Sequence, residues 1–211
     1  MNIQDAYNEW SQTYDSDKNA TRDLDQVVTR RILGEFSFES IIEIGCGSGK
    51  NTMFLSQLGG RVSAFDFSEG MLTKAKEKLG KVPNVTFSVA DITKSWPCTE
   101  QSVNLVTCNL VLEHVKELSF VFSEAARTLV SGGWFFICEL HPFRQYQGIV
   151  ANYHSGDQII QIPAFVHHIS DFLGVAQKSS FVLKQLQEWW HEKDQGKPPR
   201  LVSFLFEKTV K

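Results

Sequence analysis

The sequence predicts an α/β fold, a doubly wound and mostly parallel seven-stranded sheet with an antiparallel edge strand and helices on both faces. Three observations carry this. Between residues 40 and 140 five short apolar runs alternate with helical segments, and each early run ends in a polar residue or glycine. Two further apolar runs near the C-terminus flank a tight Gly196-Lys197-Pro198-Pro199 turn, the layout of an antiparallel pair. The composition, 42% hydrophobic and 21% charged over 211 residues, is that of an ordinary globular chain.

The elements follow in order. Leu24, Val27, Val28 and Ile32 recur at helical spacing behind an aromatic-rich stretch from Tyr7 to Tyr14, so residues 1–39 read as a helical cover. Residues 40–44 form the first strand and lead into the glycine turn Gly45-Cys46-Gly47-Ser48-Gly49. A second strand, 61–65, ends at Asp66. Ser68 then caps a helix whose Leu72, Ala75 and Leu79 share one face and which Gly80 ends. Strands at 85–90 and 103–108 end at Asp91 and Asn109. The helix bearing Leu118, Phe122, Ala125 and Leu129 stops at Gly132-Gly133 and leads to a fifth strand, 134–140. Beyond it, 159–168 reads as a strand interrupted by Pro163, 169–177 as a short helix, and 181–190 and 201–208 as the last strands. A single domain spanning 1–211 is expected, with a cofactor-binding core at 40–140 and substrate-contacting segments at 141–211.

Several classes are excluded on composition. A net charge of −3 supplies no general pull toward nucleic acid or an anionic membrane. No apolar run approaches the ~18 residues of a membrane helix, and the first residues lack a signal-peptide layout, so a cytoplasmic location is expected. Cys46, Cys98, Cys108 and Cys138 form no Cys-x-x-Cys pair, and no metal site is expected.

In an open parallel sheet the ligand crevice lies at the carboxyl ends of the strands. The glycine turn there is not a dinucleotide loop, because the third glycine would fall at Lys50. It is not a phosphate-cradling loop either, because Ile44 and Asn51 stand at its first glycine and its hydroxyl position. A nicotinamide-dependent oxidoreductase would share the sheet and an acid about 20 residues downstream, but lacks this loop. What remains is E-x-G-x-G-x-G followed by acids at the next two strand ends.

Glu43-Ile44-Gly45-Cys46-Gly47-Ser48-Gly49 resembles the first motif of class I S-adenosylmethionine-dependent methyltransferases, in the small-molecule type with a methyltransferase type 11/12-like domain. The likeness spans at least residues 40–140. It implies S-adenosylmethionine as cofactor and S-adenosylhomocysteine as product. Asp66, with Phe67 and Met71 beside it, then takes the ribose hydroxyls, and Asp91 and Ile92 bracket the adenine. Gly45 and Gly47, with Cys46 as a small filler between them, admit the ligand to close approach, Glu43 fixes this loop or meets the methionine amino group, Asn109 opens a segment that runs past the methionine part, and Tyr14 belongs to a leading segment that folds over the cofactor. Tyr7 is expected chiefly to pack its helix and His114 to bond backbone.

The implied activity is in-line methyl transfer to a small-molecule or carrier-bound acceptor, with neither nucleic acid nor membrane as partner and the oligomeric state left open. A non-catalytic module that only binds the cofactor is the other reading. For the proton of the acceptor, the expected candidates are His141, His167 and His168, which sit where the chain leaves predicted strands and whose ordinary pKa suits proton transfer at neutral pH.

Overall fold

A computed structural model describes residues 2–209; residues 1, 210 and 211, which the expected domain boundaries include, lie outside the described residues. The helices are α1 (Ile3–Trp10), α2 (Ala20–Leu33), α3 (Thr52–Leu55), α4 (Glu69–Leu79), α5 (Leu118–Thr128), α6 (Pro142–Tyr146) and α7 (Ile169–Lys178). The strands are β1 (Phe38–Ile44), β2 (Gly59–Asp66), β3 (Val85–Val89), β4 (Val103–Asn109), β5 (Leu129–Leu140), β6 (Asn152–Ser155), β7 (Gln158–Gln161), β8 (Phe181–Trp189) and β9 (Leu201–Lys208).

Seven strands form one sheet in the order β3-β2-β1-β4-β5-β9-β8. The first five are parallel, and β9 runs antiparallel to both β5 and β8, which closes that edge as expected. Strand order reverses between β1 and β4, so the crevice of the sheet opens over Gly45 and Asn109.

Adjacent residues of each central strand feed opposite layers, as a two-residue period requires. Ile41, Leu105 and Phe136 pack beneath α2 and α3, while Ile42, Val106 and Phe135 pack beneath α5 and α7. In α2, Leu24, Val28 and Ile32 meet the sheet, but Val27 is 58% exposed and does not belong to the buried face. The Asn19 side chain caps this helix by accepting from the amides of Thr21 and Arg22, and Ser68 caps α4 by accepting from Met71 N.

Two boundaries differ from expectation. α5 ends at Thr128, and β5 begins at once, with Gly132 (φ +74°) and Gly133 inside an irregular stretch opposite Val103 and Leu105. Residues 159–168 are not one strand. β7 turns back on β6 through Gly156 (φ +58°), and residues 162–168 cross outside any strand.

The small hairpin has a purpose in packing. Trp10 of α1 stacks on Tyr153 with centroids 5.6 Å apart, and Ala6 and Ile162 complete that cluster. α1 is also tied to the start of α4, where Asn8 Oδ1 accepts from Ser68 Oγ and Gly70 N. The N-terminal segment thus lies across the crevice, joined to the core on one side and to the hairpin on the other.

Candidate active site

Three adjoining hollows occupy the crevice, and both Tyr14 and Leu110 line all of them. Leu110 follows β4 with φ +56°, a left-handed backbone that costs a leucine energy and marks the junction as a constrained place. Its amide still donates to Cys138 O at 2.9 Å.

The first hollow, about 120 Å³, is bounded by the ends of β1 to β4 and by Ile3, Tyr7 and Tyr14. Asp66 closes β2 and is buried. Its Oδ2 accepts from Gly47 N and its Oδ1 from Ser68 N, both at 2.8 Å, so one carboxylate holds the glycine turn and starts α4. Burial pushes its pKa up to about 6 against the amides that favour its charge. Phe67, Met71 and Ile92 supply apolar walls. Asp91 is more open; burial would raise its pKa, but Thr93 and Lys94 outweigh this and hold it below the ordinary range.

Gly45 and Gly47 both have positive φ, +68° and +52°, for different reasons. A Cβ on Gly45 would meet a Val111 methyl at 2.1 Å, whereas one on Gly47 would meet nothing within 4 Å. The first glycine is demanded by packing. The second leaves a bare backbone facing open space.

The small third hollow, about 40 Å³, lies under the glycine turn. Glu43 Oε2 accepts from Thr52 Oγ1 at 2.5 Å, and burial pushes its pKa up to about 8. Cys46 fills space against Ala64 and Leu72, and burial, with the Glu43 and Asp66 carboxyls near, raises its thiol well above the usual range. Asn109 Nδ2 donates to Asp25 Oδ1 at 2.6 Å and to Thr29 Oγ1 at 2.9 Å, tying the end of β4 to α2.

Two residues here were missed by sequence reasoning, Asp25 and Arg22. Asp25 accepts from both Asn51 and Asn109, and burial raises its pKa. The Arg22 guanidinium lies 3.9 Å from the Tyr14 ring centroid, donates to the carbonyls of Tyr14 and Asp17, and faces both the second and third hollows. The available signal was the pair of polar residues following the Asn19 cap, at positions where α2 turns toward the crevice.

The second hollow, about 310 Å³, is lined by Tyr7, Trp10, Tyr14, Arg22, Glu113, Leu140, the segment 149–152 and Arg200. Tyr7 also borders the first hollow, and its hydroxyl lies 2.8 Å from His114 Nε2. His114 Nδ1 is 2.8 Å from Pro163 O, so Nδ1 carries the proton and Nε2 accepts from Tyr7. Burial lowers the His114 pKa, which keeps it neutral.

The three histidines expected to face the acceptor line none of these hollows. His141 is 1% exposed. Its Nδ1 accepts from Phe143 N to cap α6 and its Nε2 donates to Glu188 Oε1 at 2.9 Å, so its base lone pair is consumed. His167 Nε2 donates to Val115 O at 2.7 Å, and His168 Nδ1 meets the Tyr146 hydroxyl. The structure corrects the expectation for all three: they tie chain segments together. The remaining expected positions, Tyr14, Glu43, Gly45, Cys46, Gly47, Asp66, Phe67, Met71, Asp91, Ile92 and Asn109, all border the first or third hollow.

Residues 42–137, the strands and turns that build this crevice, match the family model described as a methyltransferase domain. The chain is similar over this core to methyltransferase domains. Among curated relatives the chain is 26% identical over 155 residues to a ubiquinone biosynthesis O-methyltransferase of Hydrogenovibrio crunogenus, covering 70% of this chain and 64% of that one. It is 34% identical over 114 residues to a demethylmenaquinone methyltransferase of Clavibacter sepedonicus, covering 54% and 46%. The chain therefore spans less than two thirds of the length of either relative. In fold it is similar to an S-adenosylmethionine-dependent methyltransferase from Clostridium acetobutylicum, with TM-score 0.72, 14% identity, and 95% and 96% of the two chains covered. A second such structure, from Mesorhizobium loti, gives TM-score 0.71 at 19% identity over 86% and 96%.

The residues fit S-adenosylmethionine, the cofactor that the sequence resemblance implies. Gly47 leaves its backbone open, and Asp66 keeps unused lone pairs beside it for the ribose hydroxyls. The apolar Phe67, Met71 and Ile92 suit the adenine, with Asp91 at its edge, while Arg22 beside the third hollow suits a carboxylate. No group of three or more metal-ligating side chains occurs among the described residues.

Proposed function

We propose that this chain transfers the methyl group of S-adenosylmethionine to a small-molecule or carrier-bound acceptor seated in the second hollow. The observation that carries the reading is the convergence of three hollows at Tyr14 and Leu110. The cofactor-fitting hollows and a separate, larger one share these walls, so a donor and an acceptor can meet there.

The bound cofactor supplies an already activated methyl group. The chain's task is then alignment and the exclusion of water. Asp66 and the glycine turn hold the donor end, and Tyr7 and Tyr14 of the N-terminal segment roof the junction. The buried carboxyls of Asp25, Glu43 and Asp66 border the same space and favour a ligand that brings positive charge.

The activities for which the relatives are named support a small or carrier-linked acceptor. They include the quinone-pathway methyltransferases above and a malonyl-[acyl-carrier protein] O-methyltransferase of Hamiltonella defensa, 31% identical over 103 residues. The net charge of −3 argues against nucleic acid, and no helix among the described residues is long and apolar enough to cross a membrane.

Calorimetric titration with S-adenosylhomocysteine, followed by label transfer from methyl-labelled S-adenosylmethionine to an acceptor panel, tests the proposal. Saturable one-to-one binding with transfer to a small acceptor is expected. Absence of binding by the folded chain overturns it, and binding without transfer to any acceptor leaves the binding-module reading in its place.

A further inference from the structure

Four buried side-chain atoms have no hydrogen-bond partner among the described residues: Arg22 Nε, Thr107 Oγ1, Glu113 Oε2 and Glu139 Oε2. Glu139 has evident work, since its Oε1 accepts from both Val111 N and Leu112 N at 3.0 Å and fixes the turn after β4. Glu113 has less. It is 7% exposed, its Oε1 lies 3.9 Å from His114 Nε2, and among the described residues lining the second hollow it is the one carboxyl or imidazole. A buried acceptor left unpaired in a native fold calls for a functional reason.

Building on the methyl-transfer reading, we propose that Glu113 is the catalytic base and that the acceptor it serves carries a hydroxyl or enol group. The acceptor O–H bond breaks and its proton passes to the Glu113 carboxylate. The oxygen lone pair forms the new O–C bond to the methyl carbon as the C–S bond breaks, and the C–S bonding pair stays with sulfur. Cationic donor, carboxylate and neutral acceptor become neutral thioether, carboxylic acid and ether, so charge and atoms balance. An unprotonated amine needs no such partner before attack, because its lone pair is already free. A hydroxyl is a poor nucleophile until its proton has somewhere to go.

Other groups near the hollow cannot take this proton. The Tyr7 phenol is buried and held well above its ordinary pKa, and His114 spends both ring nitrogens on Tyr7 and Pro163. Lys18, Arg22 and Arg200 line the same hollow, and Glu139 of β5 and His114 on its own turn complete the titratable surroundings. Burial, against a hydrogen bond from Gln145, sets the Glu113 pKa at about 7, where a base both accepts and releases protons at neutral pH.

The test compares the full chain with Glu113→Gln, using 4-nitrocatechol, resorcinol and 1,3-cyclohexanedione as hydroxyl and enol probes and benzylamine as the amine probe. Glu113→Gln is expected to bind S-adenosylhomocysteine as tightly as wild type, while single-turnover methylation of the hydroxyl or enol probes falls about 10²-fold or more. The wild-type rate rises through about pH 7, and that limb disappears in the variant. Glu113→Ala with added formate regains part of the rate, which a purely structural role would not produce. Three results overturn the proposal: an unchanged rate in Glu113→Gln, methylation of benzylamine alone, or no methylation of any hydroxyl or enol probe by a wild-type chain that binds S-adenosylhomocysteine. Wild type that fails to bind S-adenosylhomocysteine overturns the methyl-transfer reading itself, and with it this inference.

Discussion

The two ends of the crevice are built by different means. The cofactor-fitting hollow is made by strand ends: Gly45, Asp66, Asp91 and Asn109 each come directly after or at the close of an apolar run, and their backbone positions follow from the sheet. The larger hollow beside it is assembled from α1, the start of α2, the turn after β4, the 149–152 segment and Arg200, which no single element brings together. Long-range bonds hold this second wall in place. Asp194, fully buried, accepts from Arg200 Nε at 2.7 Å and Nη2 at 2.6 Å, and Arg144 Nη2 of α6 lies 2.8 Å from it. A recognition site written into the framework can be shared by a family, while a site made of tied segments is free to vary with the acceptor.

Breaking a tie should separate the two ends most clearly. Asp194→Ala leaves two guanidiniums without their buried carboxylate, a change that costs about 3–5 kcal/mol and lowers the thermal midpoint by roughly 6–20 °C. Calorimetric melting checks this. Below the melt, S-adenosylhomocysteine affinity should survive while acceptor turnover falls; equal loss of both would mean the ends are not independent.

Next in size, Asp66→Ala should weaken S-adenosylhomocysteine about ten- to hundredfold, the worth of hydrogen bonds to a charged group at about 1.5–3 kcal/mol. Isothermal titration reads it, and an unchanged affinity in a folded variant would break the assignment of the first hollow.

Somewhat smaller is the expected pH response. Asp66 at about 6, Glu113 at about 7, and Glu43 and Glu139 at about 8 all lie above their unfolded values near 4, burial being the first cause for each. The folded chain then binds more protons than the unfolded one between about pH 4 and 8, so stability is fully present at the low end and falls as pH rises through this window. At least one pKa unit of this shift, about 1.4 kcal/mol, should appear as lost stability between pH 5 and 8 in denaturant titrations. A flat profile would contradict the burial of these carboxyls.

The smallest effect concerns the roof. Tyr7→Phe removes one hydrogen bond to His114, about 1 kcal/mol, and should speed hydrogen exchange across residues 3–10 by less than tenfold. Exchange in this segment should also slow when S-adenosylhomocysteine binds; no protection there would reduce α1 to packing alone.

These differences explain what could be read beforehand. Strand ends were legible because each early apolar run is bounded by a glycine or a polar residue, and a two-residue period leaves little freedom in register. The buried pair Trp189 and exposed Trp190, 7% and 50% accessible, follow the same alternation. The β6–β7 hairpin was not legible, since its strands have four residues each and Pro163 blurs the pattern after them. His141, His167 and His168 looked available because nothing local reveals that Phe143, Glu188, Val115 and Tyr146 engage their nitrogens. Glu113 was hidden for the converse reason. It sits between the apolar Leu112 and the more conspicuous His114, and only the folded chain shows it buried beside the larger hollow without a full set of partners.

A crystal structure of the chain with S-adenosylhomocysteine bound tests the central claim most directly. The account predicts the ribose at Asp66, the adenine between Phe67 and Ile92, and the sulfur at the junction under Tyr14 and Leu110, facing the hollow that Glu113 lines. Ribose hydroxyls away from Asp66, or a sulfur directed away from that hollow, would contradict it.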